Sequence, residues 1–495
     1  MIATGYSELL QLVLPEVIVV AAALIVLASD LVFMRGARTR ARFTLGAMIS
    51  SAGCVGAILL MLIAPHQANI YDGMMVVNQT TQAVQIALLV ITILVVVMSI
   101  ESTFTAHVGE NLAVILFATA SMMFLVSSQN ILLIFISLEL LSLSLYTLVA
   151  FNKRSTKSAE AALKYFLFGG TSAAFLLFGL SLVYGLSNST NLTHIADAIK
   201  GKPLDPLLIV AMVMIVIGFG FKVAAVPFHF WAPDVYEGAP ASSAALIASS
   251  SKVAGLVIFY QVMVIGFAGE EGSGVWGGYG PGWVPVVAFA AALSMVLGNL
   301  VAIMQTSVRR LLAYSAIAHV GYMLLALMSH TQQSFSALLY YALTYALTTV
   351  GAFGVVAVVE AKTGGDKLDD FSGLSRRAPL LSFCMLIFML SLAGIPPLAG
   401  FFGKFYLFTS TLAVVPRSLG LLWLVILAIA MSAVSLYYYL QVLKRIYIAD
   451  PPSGAGPIRT PIVSQVVICL IAFSIVLLGC APNILLAWLQ QAIGR

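Results

Sequence analysis

GFGFKVAAVPFHFWAPDVYEGAP, residues 218–240, is the stretch on which the reading of this chain turns. An apolar run from Leu207 to Phe221 ends in Lys222, and Pro227 follows five residues later. His229, Trp231, Pro233, Asp234, Glu237 and a Gly-Ala-Pro exit come next. Lys222 lies roughly two-thirds of the way along a segment with the length of a membrane span, across a hydrocarbon core of ~30 Å. A charge at that depth costs at least ~2.5–3.5 kcal/mol, so it marks a functional position by default. Pro227 removes a backbone donor and interrupts the helix just past the lysine. A broken helix at membrane depth survives only where protein or enclosed water satisfies the freed backbone groups. Lysine and break together read as an ion path.

The composition sets the class. Of 495 residues, 61% are hydrophobic and only 9% are charged, which is a polytopic membrane protein and not a globular one. Cys54, Cys384, Cys469 and Cys480 show no CxxC and no ligand-like spacing, so disulfide frameworks, iron–sulfur clusters and zinc sites are not expected. No GxGxxG follows a strand pattern and no Walker loop is present, so no nucleotide site is expected.

Working outward, fourteen apolar segments are bounded by polar, Gly or Pro punctuation: 11–33, 43–63, 80–100, 111–127, 130–150, 159–185, 206–226, 240–266, 284–304, 310–328, 334–360, 379–413, 418–447 and 462–490. Most are near the ~20 residues that a span needs. The expected fold is therefore all-α and polytopic, with about fourteen transmembrane helices in a single membrane domain over 1–495. The seventh, eighth and twelfth segments look discontinuous. After three N-terminal helices (1–109), the segments at 110–266 and 284–447 each make a five-helix unit, and 462–490 is the last helix. Each unit has a broken fourth helix with a lysine at the break, at the seventh and twelfth segments. Five is odd, so the second unit is inverted relative to the first, the pattern that points to a midplane ion site.

Basic residues orient the chain. Loops after odd-numbered segments hold sixteen: Arg35, Arg38, Arg40, Arg42, Lys153, Arg154, Lys157, Arg309, Arg310, Lys362, Lys367, Arg376, Arg377, Lys444, Arg445 and Arg459. The opposite side holds Lys200, Lys202, Arg417 and Arg495. The positive-inside rule then puts both termini outside. No Lys or Arg precedes the first segment and four Arg follow it, so it is not a signal peptide. The net charge of +5 reports topology, not nucleic-acid binding. Asn78, Asn188 and Asn191 open glycosylation-type sequons that read as plain polar loops.

Four lysines remain within the segments: Lys164, Lys222, Lys252 and Lys404. Lys164 is near a span end, where a lysine can snorkel to the interface, and it is equally a candidate proton-transfer residue. Lys222 has no such escape. Lys252 follows the Ser- and Ala-rich stretch 242–251, which packs closely and hydrates easily. Lys404 follows SLAGIPPLAGFFG, a second proline break, and is expected to project into a hydrated pocket. Burial without a partner favours the neutral amine, as a proton carrier near neutral pH requires. Glu139 sits mid-span among Ser137, Ser142 and Ser144, with Lys222 as its natural counter-ion; the bland alternative is a neutral carboxyl that joins helices. Glu16, Asp30, Glu101 and Glu360 lie near span ends, where a solvated reading is enough. His229, beside the first break, and His319, in RRLLAYSAIAHVGYMLL, fit a proton relay better than a metal site, since no third ligand of clear spacing accompanies them. A packed, satisfied histidine is the ordinary alternative for each.

The run GFGFKVAAVPFHFWAPDVYEGAP, with LLAYSAIAHVGYMLL and SLAGIPPLAGFFGKFYLF, resembles the antiporter-like subunits of respiratory complex I, the NADH-quinone oxidoreductase, over nearly the whole chain. The superfamily also holds multi-subunit cation/proton antiporters and membrane hydrogenases. The N-type branch is nearest, because Lys404 stands where the M-type carries glutamate and the long lateral helix of the L-type is absent. The resemblance implies a proton channel of two half-channels. Glu139 and Lys222 match its ion pair, Lys252 its central lysine and Lys404 its exit lysine. It implies no redox cofactor in this chain, flavin, iron–sulfur clusters and quinone belonging to partner subunits, and a bacterial inner-membrane location beside other membrane subunits. A sodium/proton antiporter subunit is the closest rival. A purely structural anchor gains nothing from four buried lysines.

Overall fold

At membrane depth the backbone must satisfy its own polar groups, and helices do this within one segment. The computed structural model describes residues 10–493 apart from 64–66, 72, 202, 413–419, 453 and 455. Lys202, Arg417 and Arg495 of the charge reading lie outside the described residues. Among the described residues, thirteen helices are long and apolar enough to cross a membrane. The stretch read as a twelfth span is divided into two short helices, Pro379–Ala393 and Ala399–Leu412. The only strands among the described residues form two antiparallel hairpins, pairing Ala68–Ile70 with Met75–Val77 and Ser273–Val275 with Gly278–Gly280.

The sequon asparagines are helix signals, not plain loop residues. Asn78 caps Gln79–Met98 by accepting from the Thr81 N–H, while the Thr81 hydroxyl accepts from the Asn78 N–H. Asn191 caps the short helix Leu192–Ile199, and Asn188 ends Thr156–Ser187 at φ 53°. Short polar side chains supply the oxygen that a helix start lacks and tolerate the left-handed end.

The chain forms two compact units. The first comprises Met1–Phe219, Ser250–Glu271 and Gln491–Arg495. In its core Val19, Ala23, Cys54, Ala57, Leu89 and Leu116 meet, and the small residues let helix backbones approach closely. Two of its acidic residues, Asp30 and Glu16, depart from the solvated reading, while Glu101 pairs with the exposed Arg40. Asp30 is buried, held by Arg42 through two hydrogen bonds of 2.7 and 2.6 Å and by the Gly109 N–H at 2.8 Å. Glu16 is buried with its Oε1 accepting from Gln85 Nε2 at 2.7 Å, and Glu101 pairs with Arg40 at 2.7 Å. A buried carboxylate needs such partners, and the chain supplies them from distant helices.

The second unit comprises Gly220–Ser249 and Gly272–Gln490. Its helices Val308–Ser329 and Gln332–Thr363 are buried almost all round, as helices apolar on every face must be. The thiols of Cys384 and Cys469 lie 3.9 Å apart there, a proximity that the spacing of the cysteines did not foretell. The expected eighth span is indeed discontinuous: Ala241–Ala248 and Ser250–Gln261 meet at Ser249, and a π-helical turn, Val262–Gly266, follows. Residues 242–260 are all buried.

Candidate functional site

The first break runs from Ala224 to Phe230, between Pro206–Val223 and Trp231–Gly238. Lys222 is buried in the last turn before it. The carbonyls that lose their helical partners find others. Phe221 O accepts from the Ala224 N–H at 3.0 Å and from Trp231 Nε1 at 2.9 Å, and Gly220 O accepts from the Ala225 N–H at 2.7 Å. The Val226 N–H donates to Ser294 Oγ at 2.9 Å. Protein groups therefore satisfy this break, as the membrane rule demands. His229 is buried within it, its ring against Phe230.

Past the break, Trp231–Gly238 is held by two arginines that sequence reasoning counted only as loop charges. Arg309 is buried; its Nη1 donates to the carbonyls of Glu237 and Ala239, both at 2.9 Å, and its Nη2 to Glu360 at 2.5 Å. Arg310 reaches Asp234 at 2.7 Å and Glu237 at 3.0 Å. A guanidinium fork suits this position, because it caps a helix end and pairs with a carboxylate at once. Glu360 is thus an ion-pair partner rather than a merely solvated end residue. The adjacent Arg-Arg pair opposite two carboxylates spaced three apart was the available signal.

The second break spans residues 394–398. Gly394, at φ 86°, ends Pro379–Ala393, and its N–H bonds Leu390 O and Ser391 O. Lys404, in the second half-helix, reaches back to the end of the first. Its Nζ donates to Leu392 O and Ala393 O, both at 3.0 Å, and to Ser432 Oγ at 2.8 Å. These partners are all protein groups. The carboxyl end of a helix carries partial negative charge, so it is a natural seat for an ammonium. The left-handed φ favours glycine at 394, and a Cβ there would come within 3.1 Å of the flexible Lys404 side chain.

Around Lys404 lies a cluster of aromatic and polar side chains. Its Nζ stands 5.3 Å from the centre of the Tyr322 ring, and the His319 ring meets the same ring edge-on at 5.7 Å. Tyr322 thus lies between two of the expected relay residues. His319 Nδ1 is 2.5 Å from the Tyr341 hydroxyl and Nε2 is 3.0 Å from the Tyr439 hydroxyl, which also bonds Ser315. Asn299 receives the Tyr438 hydroxyl at 3.0 Å and donates to the Tyr322 hydroxyl at 3.0 Å. Buried tyrosines in apolar helices look like ordinary core in a sequence, so this polar network was not legible there.

The first unit holds the other expected residues. Lys252 is fully enclosed, in a helix whose residues 250–260 are all buried. Glu139 is half-buried, not enclosed as expected. Lys164 is not a buried lysine: its side chain is 40% exposed and pairs with Glu160 one turn earlier at 2.6 Å. Three lysines, not four, bear the cost of burial.

A mostly helical membrane chain with a lysine beside each of two helix breaks has the architecture of an antiporter-like membrane subunit. The family model described as NADH:quinone oxidoreductase/Mrp antiporter, transmembrane, matches residues 128–432. The chain is 53% identical to NADH-quinone oxidoreductase subunit N 2 of Acidobacterium capsulatum, over 98% of this chain and 99% of that one. It is similar to a chain of respiratory complex I from Thermus thermophilus with bound aureothin, with TM-score 0.77, 32% identity, and coverage of 96% and 98% of the two chains. A chain of the Mrp complex from a Dietzia species shares the fold at TM-score 0.80 with 17% identity, over 97% of each. The chain belongs to the antiporter-like membrane subunits of NADH-quinone oxidoreductases, the family of subunit N.

Proposed function

We propose that this chain is a proton-translocating membrane subunit of an NADH-quinone oxidoreductase complex. Electrons pass in partner subunits that hold flavin, iron–sulfur clusters and quinone, and this chain carries no redox step. The observation that bears most of the weight is Lys404, an enclosed lysine held by acceptors alone at a helix break, one tyrosine ring away from His319. Its position supports a group that holds a proton and hands it on. Lys222 stands at the other break. When Glu139 and Lys222 pair, the carboxylate holds the lysine's proton; when they separate, the proton passes toward Lys252, His319 and Lys404. His229, within the first break, belongs to the same path, whereas Lys164, paired with Glu160 in the open, stands apart from it. The two five-helix repeats are inverted, and the chain lies in a bacterial inner membrane with both termini in the periplasm, next to other membrane subunits of the complex.

The test uses the complex in proteoliposomes. Glu139→Gln and Lys222→Ala are expected to assemble but to lower NADH-driven proton uptake by about tenfold or more. Wild-type uptake in either variant removes the pair from the mechanism. The fold shared with the Mrp chain supports a second reading, a cation/proton antiporter subunit. Co-purification of flavin and iron–sulfur proteins with the tagged chain decides for the oxidoreductase.

A further inference from the structure

Ser315, Tyr439, His319 and Tyr341 are joined in a hydrogen-bonded file, which Tyr438 meets from the side at Ser315 and Tyr439. Ser315 and His319 lie four residues apart on one face of Val308–Ser329, separated by ~6 Å of helix rise. The Tyr439 hydroxyl, from the helix Leu422–Tyr447, bridges that turn by bonding both. The Tyr341 hydroxyl, from Gln332–Thr363, meets the opposite ring nitrogen at 2.5 Å. All four side chains are at most 2% exposed. The Tyr341 ring lies against Gly403, the residue before Lys404, so this end of the file adjoins the second break. The Ser315 end points along the helix toward Arg309 and Arg310.

We propose that these four groups form a proton wire in which the hydroxyls of Tyr341, Tyr439 and Ser315 transfer protons as directly as the imidazole does. The proposal rests on the proton-translocation reading and names the relay atoms within it. A neutral imidazole has one donor and one acceptor nitrogen, and each hydroxyl both donates and accepts. The file therefore has two polarities. In one, Tyr341 Oη donates to Nδ1, Nε2 donates to Tyr439 Oη, and Tyr439 Oη donates to Ser315 Oγ. A proton arriving at Tyr341 Oη forms a new O–H bond as the old proton moves to Nδ1. The Nε2 proton moves to Tyr439 Oη, that hydroxyl's proton moves to Ser315 Oγ, and the Ser315 proton leaves. One proton enters, one leaves, and no group keeps a charge. The polarity is then reversed. A proton passing the other way resets it, as does rotation of the hydroxyls with exchange of the imidazole tautomer. Ordinary tyrosines do not ionise near neutral pH, and a wire of this kind does not ask them to.

The experiment compares Tyr341→Phe, Tyr439→Phe and the double variant in the whole complex in proteoliposomes, reading proton uptake per NADH oxidised in H₂O and D₂O. Each single variant is expected to assemble and to lower uptake on the order of tenfold, with a larger isotope effect. The double variant is expected to be no lower than the worse single one, because a file cut once is already cut. Wild-type uptake in either single variant, or losses that multiply in the double, overturns the wire. Should a tyrosine variant fail to assemble, Ser315→Ala, which removes only the terminal hydroxyl, carries the same expectation and the same overturning result. His319→Gln separates the two levels. If it abolishes uptake while the tyrosine variants pump normally, the wire alone falls; if it pumps normally too, the proton-path reading falls at this site.

Discussion

Lys404 Nζ meets two backbone carbonyls and a serine hydroxyl, all of which accept its protons. The seat is built for a cation, yet a transfer role also requires that the cation give up a proton. Arginine meets the first demand and not the second, since it effectively never deprotonates. Lys404→Arg is expected to assemble and to lower NADH-driven proton uptake by about tenfold or more, at unchanged electron transfer into the quinone pool of uncoupled vesicles. Full uptake in this variant takes Lys404 off the path. The geometry also speaks to Lys404→Glu, which places a carboxylate against the negative end of Pro379–Ala393. That variant is expected to lose assembly or to require a protonated glutamate, seen as a carboxylic C=O stretch in difference infrared spectra. Lys164, half in the open and paired with Glu160, is the contrast: Lys164→Gln is expected to change uptake less than twofold, because its charge bears no burial cost.

At the scale of elements, the breaks are defined by what closes them. In the first, Trp231 Nε1 donates across to Phe221 O, and the helix it begins is fastened at its far end by Arg309. Lys222, next to Phe221, is thus positioned by a short helix pinned at both ends. Arg309→Ala is expected to destabilise by ~3 kcal/mol or more, since it orphans two buried carbonyls and removes the partner of Glu360. Arg310→Ala, at a half-buried site, is expected to cost ~1 kcal/mol or less. Thermal unfolding of the two purified variants checks the order, and equal shifts refute the clamp. In the second break the close approach is made by glycine. A Cβ at Gly400 would strike the Ser391 carbonyl, a backbone atom that cannot step aside, while one at Gly394 would meet the flexible end of Lys404. Lys222 precedes its break, and Lys404 follows its own.

For the whole molecule, the same fold serves chains that share as little as 17% of their residues, so the fold by itself does not fix what a chain does. Membrane orientation is a property of the chain's loops. With sixteen basic residues on one side and four on the other, a reporter fused after Arg495 is expected to be active only on the periplasmic face. Cytoplasmic labelling there means that a span has been miscounted, and the inverted repeat falls with it.

Hydropathy and punctuation alone determined that this is a many-helix membrane chain with breaks near Pro227 and Pro396-Pro397, because each signal is local: a span needs its own ~20 apolar residues, and proline acts on its own backbone. The buried lysines at 222, 252 and 404 were legible for the same reason, as charges where apolar residues belong. What tertiary structure decided was company. Asp30 finds Arg42 and Gly109, Arg309 finds carbonyls 70 and 72 residues away, and His319 finds two tyrosines from two other helices. A tyrosine in an apolar helix has the same sequence signature whether its hydroxyl ends a packing contact or joins a hydrogen-bonded file. That distinction rests on which helices meet and at what height, which is a property of packing between segments and has no local trace.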